Sequence, residues 1–93
     1  MNEEELYEKI KNKKACYLFE ELSRQLDLLP PNGAKIHKLR TCRQIFISHI
    51  SLYSDNLFPA DETIAEYKQR DSSNFENTLK KILDSVNDFK ILL

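Results

Sequence analysis

The chain has 93 residues, 41% hydrophobic and 31% charged, with 14 Lys+Arg against 15 Asp+Glu and a net charge of −1. This is the composition of one small globular domain, and it excludes a disordered chain or a polycation that coats nucleic acid. One glycine and three prolines supply too few turns for an all-β sandwich or barrel, and no apolar run reaches the ~18 residues of a membrane span.

The first helical segment is expected over about residues 3–29. Asn2 and Glu5 have capping-box spacing, and acids fill the first turn, where the helix dipole favours them. Leu6 and Ile10 follow one apolar phase; Ala15, Leu18, Leu22, Leu26 and Leu29 follow another. Residues 11–14 between them contain no apolar side chain, so one helix and two remain open. Tyr17 and Phe19 both fall near the edge of the second stripe, which predicts that at least one is exposed. Pro30, Pro31, Asn32 and Gly33 end the segment.

A second helix is expected over about residues 34–57. Ile36, Leu39, Cys42, Phe46, His49, Ile50, Tyr53 and Leu57 form its stripe, widened by Ile45, Ile47 and Leu52. So broad a face implies contact with more than one neighbour. A short third helix follows over about residues 59–70, opened by Pro59 with Asp61 and Glu62 in its first turn. The fourth opens on Ser73 and Glu76 as a capping box. Phe75, Leu79, Ile82, Val86, Phe89 and Leu93 then step at heptad spacing, a seam for the core or for a second copy. The final Ile91, Leu92 and Leu93 predict that the end of the chain docks on the body or on a partner.

The fold expected is all-α: a single domain over residues 1–93, an antiparallel four-helix bundle with a short third helix. Its core is expected to hold Leu18, Leu22, Leu26, Leu39, Phe46, Ile50, Tyr53, Ile64, Leu79, Ile82, Val86 and Phe89.

Charge is segregated. Residues 30–58 carry four cations against one acid, and all four, Lys35, Lys38, Arg40 and Arg43, lie in the N-terminal half of the second helix beside His37. Cations there oppose the helix dipole. They require acids across the bundle, such as Glu20, Glu21 and Asp27, or an anionic partner.

No catalytic template is met. The single glycine makes no phosphate loop, no His-Glu-x-x-His run is present, and His37 and His49 are too far apart on one helix to share a ligand. Cys16 and Cys42 show no metal-site spacing and read as reduced core thiols, or as a redox pair if the helices bring them together. No enzyme activity, cofactor or metal is expected. The acidic N-terminus has no apolar leader, which predicts a cytoplasmic protein.

Two resemblances bear on function. Residues 63–83 partly match the spacing of a helix-turn-helix. Lys68 and Gln69 depart from it, and Glu76 would stand in the groove-facing helix. The segments Ile36-His37-Lys38-Leu39 and Asp55-Asn56-Leu57-Phe58-Pro59-Ala60-Asp61-Glu62 resemble the immunity proteins of pediocin-like bacteriocins over about a third of the chain. That resemblance implies a small cytosolic four-helix bundle that protects its producer by acting on a membrane receptor from the cytosolic side. It implies no catalytic residue, and it assigns specificity to the half from about Pro59 onward.

The reading is a non-enzymatic protein-binding module. Its candidate contact residues are Lys35, His37, Lys38, Arg40, Arg43, Phe89 and Leu93. The alternatives are an adaptor or homodimer assembling through the last helix, and a DNA-binding regulator. Ile82→Asp, which places an unpaired charge in the seam, is expected to unfold the domain; a thermal melt by circular dichroism identical to the parent would refute the seam.

Overall fold

A computed structural model describes all 93 residues. The fold is all-α, with five helices: α1 (Glu3–Ile10), α2 (Ala15–Asp27), α3 (Ile36–Ser54), α4 (Ile64–Arg70) and α5 (Ser72–Phe89). The first segment is therefore two helices, broken where the apolar phase changes. Asn2 caps α1 through its side-chain oxygen, which accepts from the Glu5 N–H at 2.8 Å.

The break is held by backbone hydrogen bonds rather than left to solvent. Ala15 N–H donates to the Glu62 carbonyl at 2.8 Å, Ile64 N–H to Lys13 at 2.9 Å and Ala65 N–H to Lys11 at 3.0 Å. Two loops distant in sequence thus satisfy each other's peptide groups, including a single β-bridge between Lys14 and Thr63.

The contacts fix the directions of the helices. Phe19 meets Phe46 and His49 while Asp27 meets Arg43, so α2 and α3 run antiparallel. Lys38 meets Asp88 while His49 meets Thr78, so α3 and α5 do too. Tyr7 meets Phe75 and the Met1 carbonyl meets Asn87, which sets α1 antiparallel to α5. The broad face of α3 packs on both α2 and α5, as its width predicts.

Nine of the expected core residues are buried; Ile50, Val86 and Phe89 are half-buried against the same cluster. Leu6, Ile10, Ala15, Phe19, Cys42, Tyr67, Phe75 and Ile91 complete it. Phe19 stands at its centre, stacked on Phe46 with centroids 5.9 Å apart and edge-on to Tyr67 at 6.3 Å. Burying a side chain of this size stabilises by about 1.5–3 kcal/mol.

Several boundaries differ from the sequence reading. The third helix starts at Ile64, not Pro59. Thr63 and Glu66 form the capping box, and Glu62 turns inward to bind Arg70. The cap of α5 is Asp71, whose carboxylate accepts from Asn74 N–H, so the Ser73–Glu76 box is not used. An ionised oxygen is the stronger acceptor for an N-terminal N–H. The heptad helix ends at Phe89, because Lys90 takes the left-handed conformation at φ 56°. Leu93 is thereby removed from the α5 seam. At the other end of the core, α3 stops at Ser54, and Asn56 takes φ 62° in the corner that follows.

Two buried polar clusters interrupt the core, and no buried side-chain polar atom lacks a partner. Glu62 accepts from Arg70 Nε at 2.9 Å and from the Tyr53 hydroxyl at 3.0 Å. The Arg70 guanidinium stacks 3.6 Å from the Phe58 centroid. Burial pushes the Tyr53 hydroxyl pKa up, and the Glu62 charge adds to it. In the second cluster His49 Nδ1 lies 2.8 Å from the Ile45 carbonyl, which can only accept. That nitrogen therefore carries the proton, and Nε2 faces the Tyr67 hydroxyl at 2.9 Å as the acceptor. Thr78 closes the cluster, 3.0 Å from the same hydroxyl.

The cysteines are not a redox pair. Cys42 lies level with the C-terminal end of α2, because its neighbour Arg43 meets Asp27. Cys16 is about ten residues away along α2, roughly 15 Å at the helical rise, against the ~7 Å limit between disulfide Cα atoms. Both thiols are free, and burial raises both of their pKa values.

Burial lowers the His49 pKa below its ordinary 6.5, against the Ile45 carbonyl, with the Arg70 charge acting in the same direction as burial. The unfolded chain thus binds a proton that the native state refuses, and stability falls as pH drops below about 6.5. Melting temperature is expected to decline from about pH 7 to about pH 5, with a shallower decline in His49→Gln. Equal slopes in the two proteins would remove His49 from this account.

Candidate functional site

The basic half of α3 is largely occupied within the chain. Lys35 and Lys38 reach Asp88 at 3.4 and 2.9 Å, Lys38 also lies 4.0 Å from Asp84, and Arg43 holds Asp27 at 2.6 Å. Hydrogen bonding from Lys38 holds the Asp88 carboxyl below the usual carboxylate range. Of the acids expected to face this half, Asp27 does so. Glu20 instead lies beside the Cys16 thiol, and Glu21 is bound by Arg24 and Gln25. The principal counter-charges come from α5.

His37 and Arg40 remain exposed, with no ion pair. Phe89 is half-buried against the core. Leu93 lies elsewhere, on α2. The structure therefore splits the candidate residues between two surfaces.

The α2 surface is the one that sequence reasoning did not assemble. With Phe19 at the core centre, the helix must turn Tyr17 outward, and Tyr17 is 64% exposed. Lys14, Tyr17, Glu21, Arg24 and Leu28 recur at three- and four-residue spacing, so they share this outer face. Leu28 is 81% exposed at its far end.

Beyond Lys90 the chain folds back along α2. Ile91 is buried, and its N–H points to the Ser85 carbonyl at 3.4 Å. The Gln25 side-chain amide then grips Leu92 at both backbone groups: Nε2 donates to the Leu92 carbonyl at 2.7 Å, and Oε1 accepts from the Leu92 N–H at 3.1 Å. This leaves the Leu92 side chain 78% exposed and brings Leu93 against α2. Leu93, Tyr17 and Leu18 wall a recess of about 260 Å³, with Lys13, Lys14 and Glu21 around it. The Lys14 ammonium lies 5.6 Å from the Tyr17 ring centroid. Only the apolar ending at 91–93 signalled this arrangement in the sequence.

A second recess is walled by Glu3, Glu4, Glu8 and Glu76 with Tyr7 and Leu79. Lys68 forms part of its wall, with the ammonium 4.4 Å above the Tyr7 ring, so this recess carries its own counter-charge. In the interior, the groups with chemical capability are engaged: His49 by Ile45 and Tyr67, and the Cys42 thiol by the Lys81 carbonyl. No cluster of His, Cys, Asp and Glu is placed to hold a metal ion. No helix is long and apolar enough to cross a membrane.

Two alternatives can be compared with this geometry. Phe75, Leu79 and Ile82 of the heptad seam are buried within the chain, which leaves only the half-buried edge at Val86 and Phe89 for a second copy. The connection between α4 and α5 is the single residue Asp71, shorter than the three to four residues (roughly) of a helix-turn-helix turn. No protein-family model matches the chain, and searches of curated proteins and of solved structures give no match either.

Gln25→Ala is expected to free residues 91–93 while leaving helicity intact. The Leu92 amide should then exchange with deuterium about tenfold faster or more, and the resonances of Tyr17 and Leu18 should shift. Unchanged exchange at Leu92 would show that the segment is held without Gln25.

Proposed function

We propose that the chain is a non-enzymatic protein-binding module, and that its contact surface is the outer face of α2 together with residues 90–93. The observation that carries this reading is the exposure of Tyr17 and Leu92 next to the Leu93-walled recess, on a helix face that Leu28 extends to its far end. A small domain gains no stability from large apolar side chains held in water, and such clusters mark contact surfaces. Tyrosine with leucines inside a rim of Lys and Arg is also the composition of an interface centre and its edge.

The specific form proposed is an immunity-type protein working in the cytosol. It draws on the resemblance of the Ile36–Leu39 and Asp55–Glu62 segments to the pediocin-like bacteriocin immunity proteins. In that form the partner is a membrane-embedded receptor met from its cytosolic side. Leu92 and Leu93 fall in the half to which the resemblance assigns specificity. His37 and Arg40, free of intramolecular ion pairs, are the part of the α3 surface left for the same partner.

Tagged full-length protein is expected to capture a stoichiometric, nuclease-resistant partner from lysate and solubilised membranes. Tyr17→Glu with Leu92→Glu should lower that capture about tenfold or more at unchanged helicity. Capture that survives the double variant overturns the assignment of the surface to α2 and residues 90–93, and capture that disappears with nuclease overturns the module reading. Tolerance of expressing cells to a pediocin-like bacteriocin tests the immunity form, and unchanged sensitivity removes it.

A further inference from the structure

We infer that the recess between α2 and Leu93 accepts an apolar side chain from an acidic segment of the partner protein, with carboxylates of that segment meeting Lys13 and Lys14. This rests on the protein-binding reading above and names the chemistry of the partner.

The recess has an apolar floor and a basic edge. Tyr17, Leu18 and Leu93 supply the apolar walls, and about 260 Å³ is room for one large side chain. Neither Lys13 nor Lys14 has a carboxylate within ion-pair distance. Glu21, the acid on the same rim, is already bound by Arg24 and by Gln25. Among the side chains of the edge, two cations are therefore without an ion pair and the one acid is already paired.

Those cations stand on a fixed loop. The Lys13 carbonyl accepts from Ile64 N–H and the Lys14 carbonyl from Leu18 N–H, while the adjoining Ala15 N–H is bound by Glu62. A carboxylate arriving there meets ammonium groups whose backbone is already ordered, which reduces the entropic cost of pairing.

The same features select among occupants. A second copy docking by two-fold symmetry would bring its own Lys13 and Lys14 toward this edge, and like charges repel. A lipid surface needs no concave pocket, whereas a single inserted side chain does. An acidic apolar segment satisfies both the floor and the edge.

The full-length protein is to be used to select from a random dodecapeptide library displayed on phage, with counter-selection on Tyr17→Glu. Enriched peptides are expected to pair Leu, Ile or Phe with neighbouring Asp or Glu. The leading synthetic peptide should bind Lys13→Glu/Lys14→Glu about tenfold or more weakly, and bind Lys80→Glu, a charge reversal on the exposed face of α5, as it binds the parent. Basic or neutral enrichment, no enrichment, or equal binding to the Lys13→Glu/Lys14→Glu variant overturns the proposal. So does the absence of enrichment together with sedimentation on phosphatidylglycerol vesicles, which would assign the surface to lipid, or a concentration-dependent dimer abolished by Tyr17→Glu, which would assign it to a second copy. Capture of the cellular partner that is lost with Tyr17→Glu but kept with Lys13→Glu/Lys14→Glu would overturn the acidic class and leave the module reading intact.

Discussion

The carboxylate of Glu62 sits where four parts of the chain meet. Its oxygens hold Arg70 of α4 and the Tyr53 hydroxyl of α3, while its backbone carbonyl receives the first N–H of α2. The Arg70 guanidinium in turn lies 3.6 Å from the Phe58 ring centroid and 5.1 Å from that of Tyr67. A buried ion pair of this kind adds little net stability, since desolvation offsets its attraction. Its consequence is positional. Removing one partner leaves a buried charge uncompensated, at about 3–5 kcal/mol, so arrangements that separate Glu62 from Arg70 are strongly disfavoured. That requirement holds the 62–65 turn against residues 11–15, at the break between α1 and α2.

The placement of α2 follows, and with it the candidate surface. Helical geometry allows only one of Tyr17 and Phe19 to face the core, and the cluster of Phe46, His49, Tyr53 and Tyr67 takes Phe19. Tyr17 is thereby committed to solvent, next to two lysines whose loop is pinned by the Glu62 turn. The stability of the core and the exposure of the contact surface are two results of one rotation of α2.

The charges of α3 and α5 show how two local violations cancel. Cations at the start of α3 oppose its dipole, and Asp84 and Asp88 near the end of α5 oppose that helix's dipole in the same way. Antiparallel packing brings the two misplaced sets together, and each then supplies the charge that the other helix end requires. The cluster on α3 was legible in the sequence as an imbalance needing a counter-charge. Which acids would answer it was not, because Asp84 and Asp88 are more than forty residues away from Lys38 along the chain (46 and 50), and periodicity carries no information on register between helices.

The sequence alone determined the helical class and most of the core, and it marked residues 11–14 as a change of apolar phase without deciding between one helix and two. Each is written in local periodicity: the i, i+3, i+4 recurrence of apolar side chains, and the loss of that recurrence over residues 11–14. It also contained Thr63 and Glu66 at capping-box spacing, a signal overshadowed by Pro59. Tertiary structure decided the rest. It chose Asp71 over Ser73 as the cap of α5, turned Glu62 inward, ended the heptad helix at Lys90 and laid Leu92 across Gln25. These outcomes depend on which distant groups satisfy a buried charge or an unpaired peptide, and that pairing exists only once the helices have met.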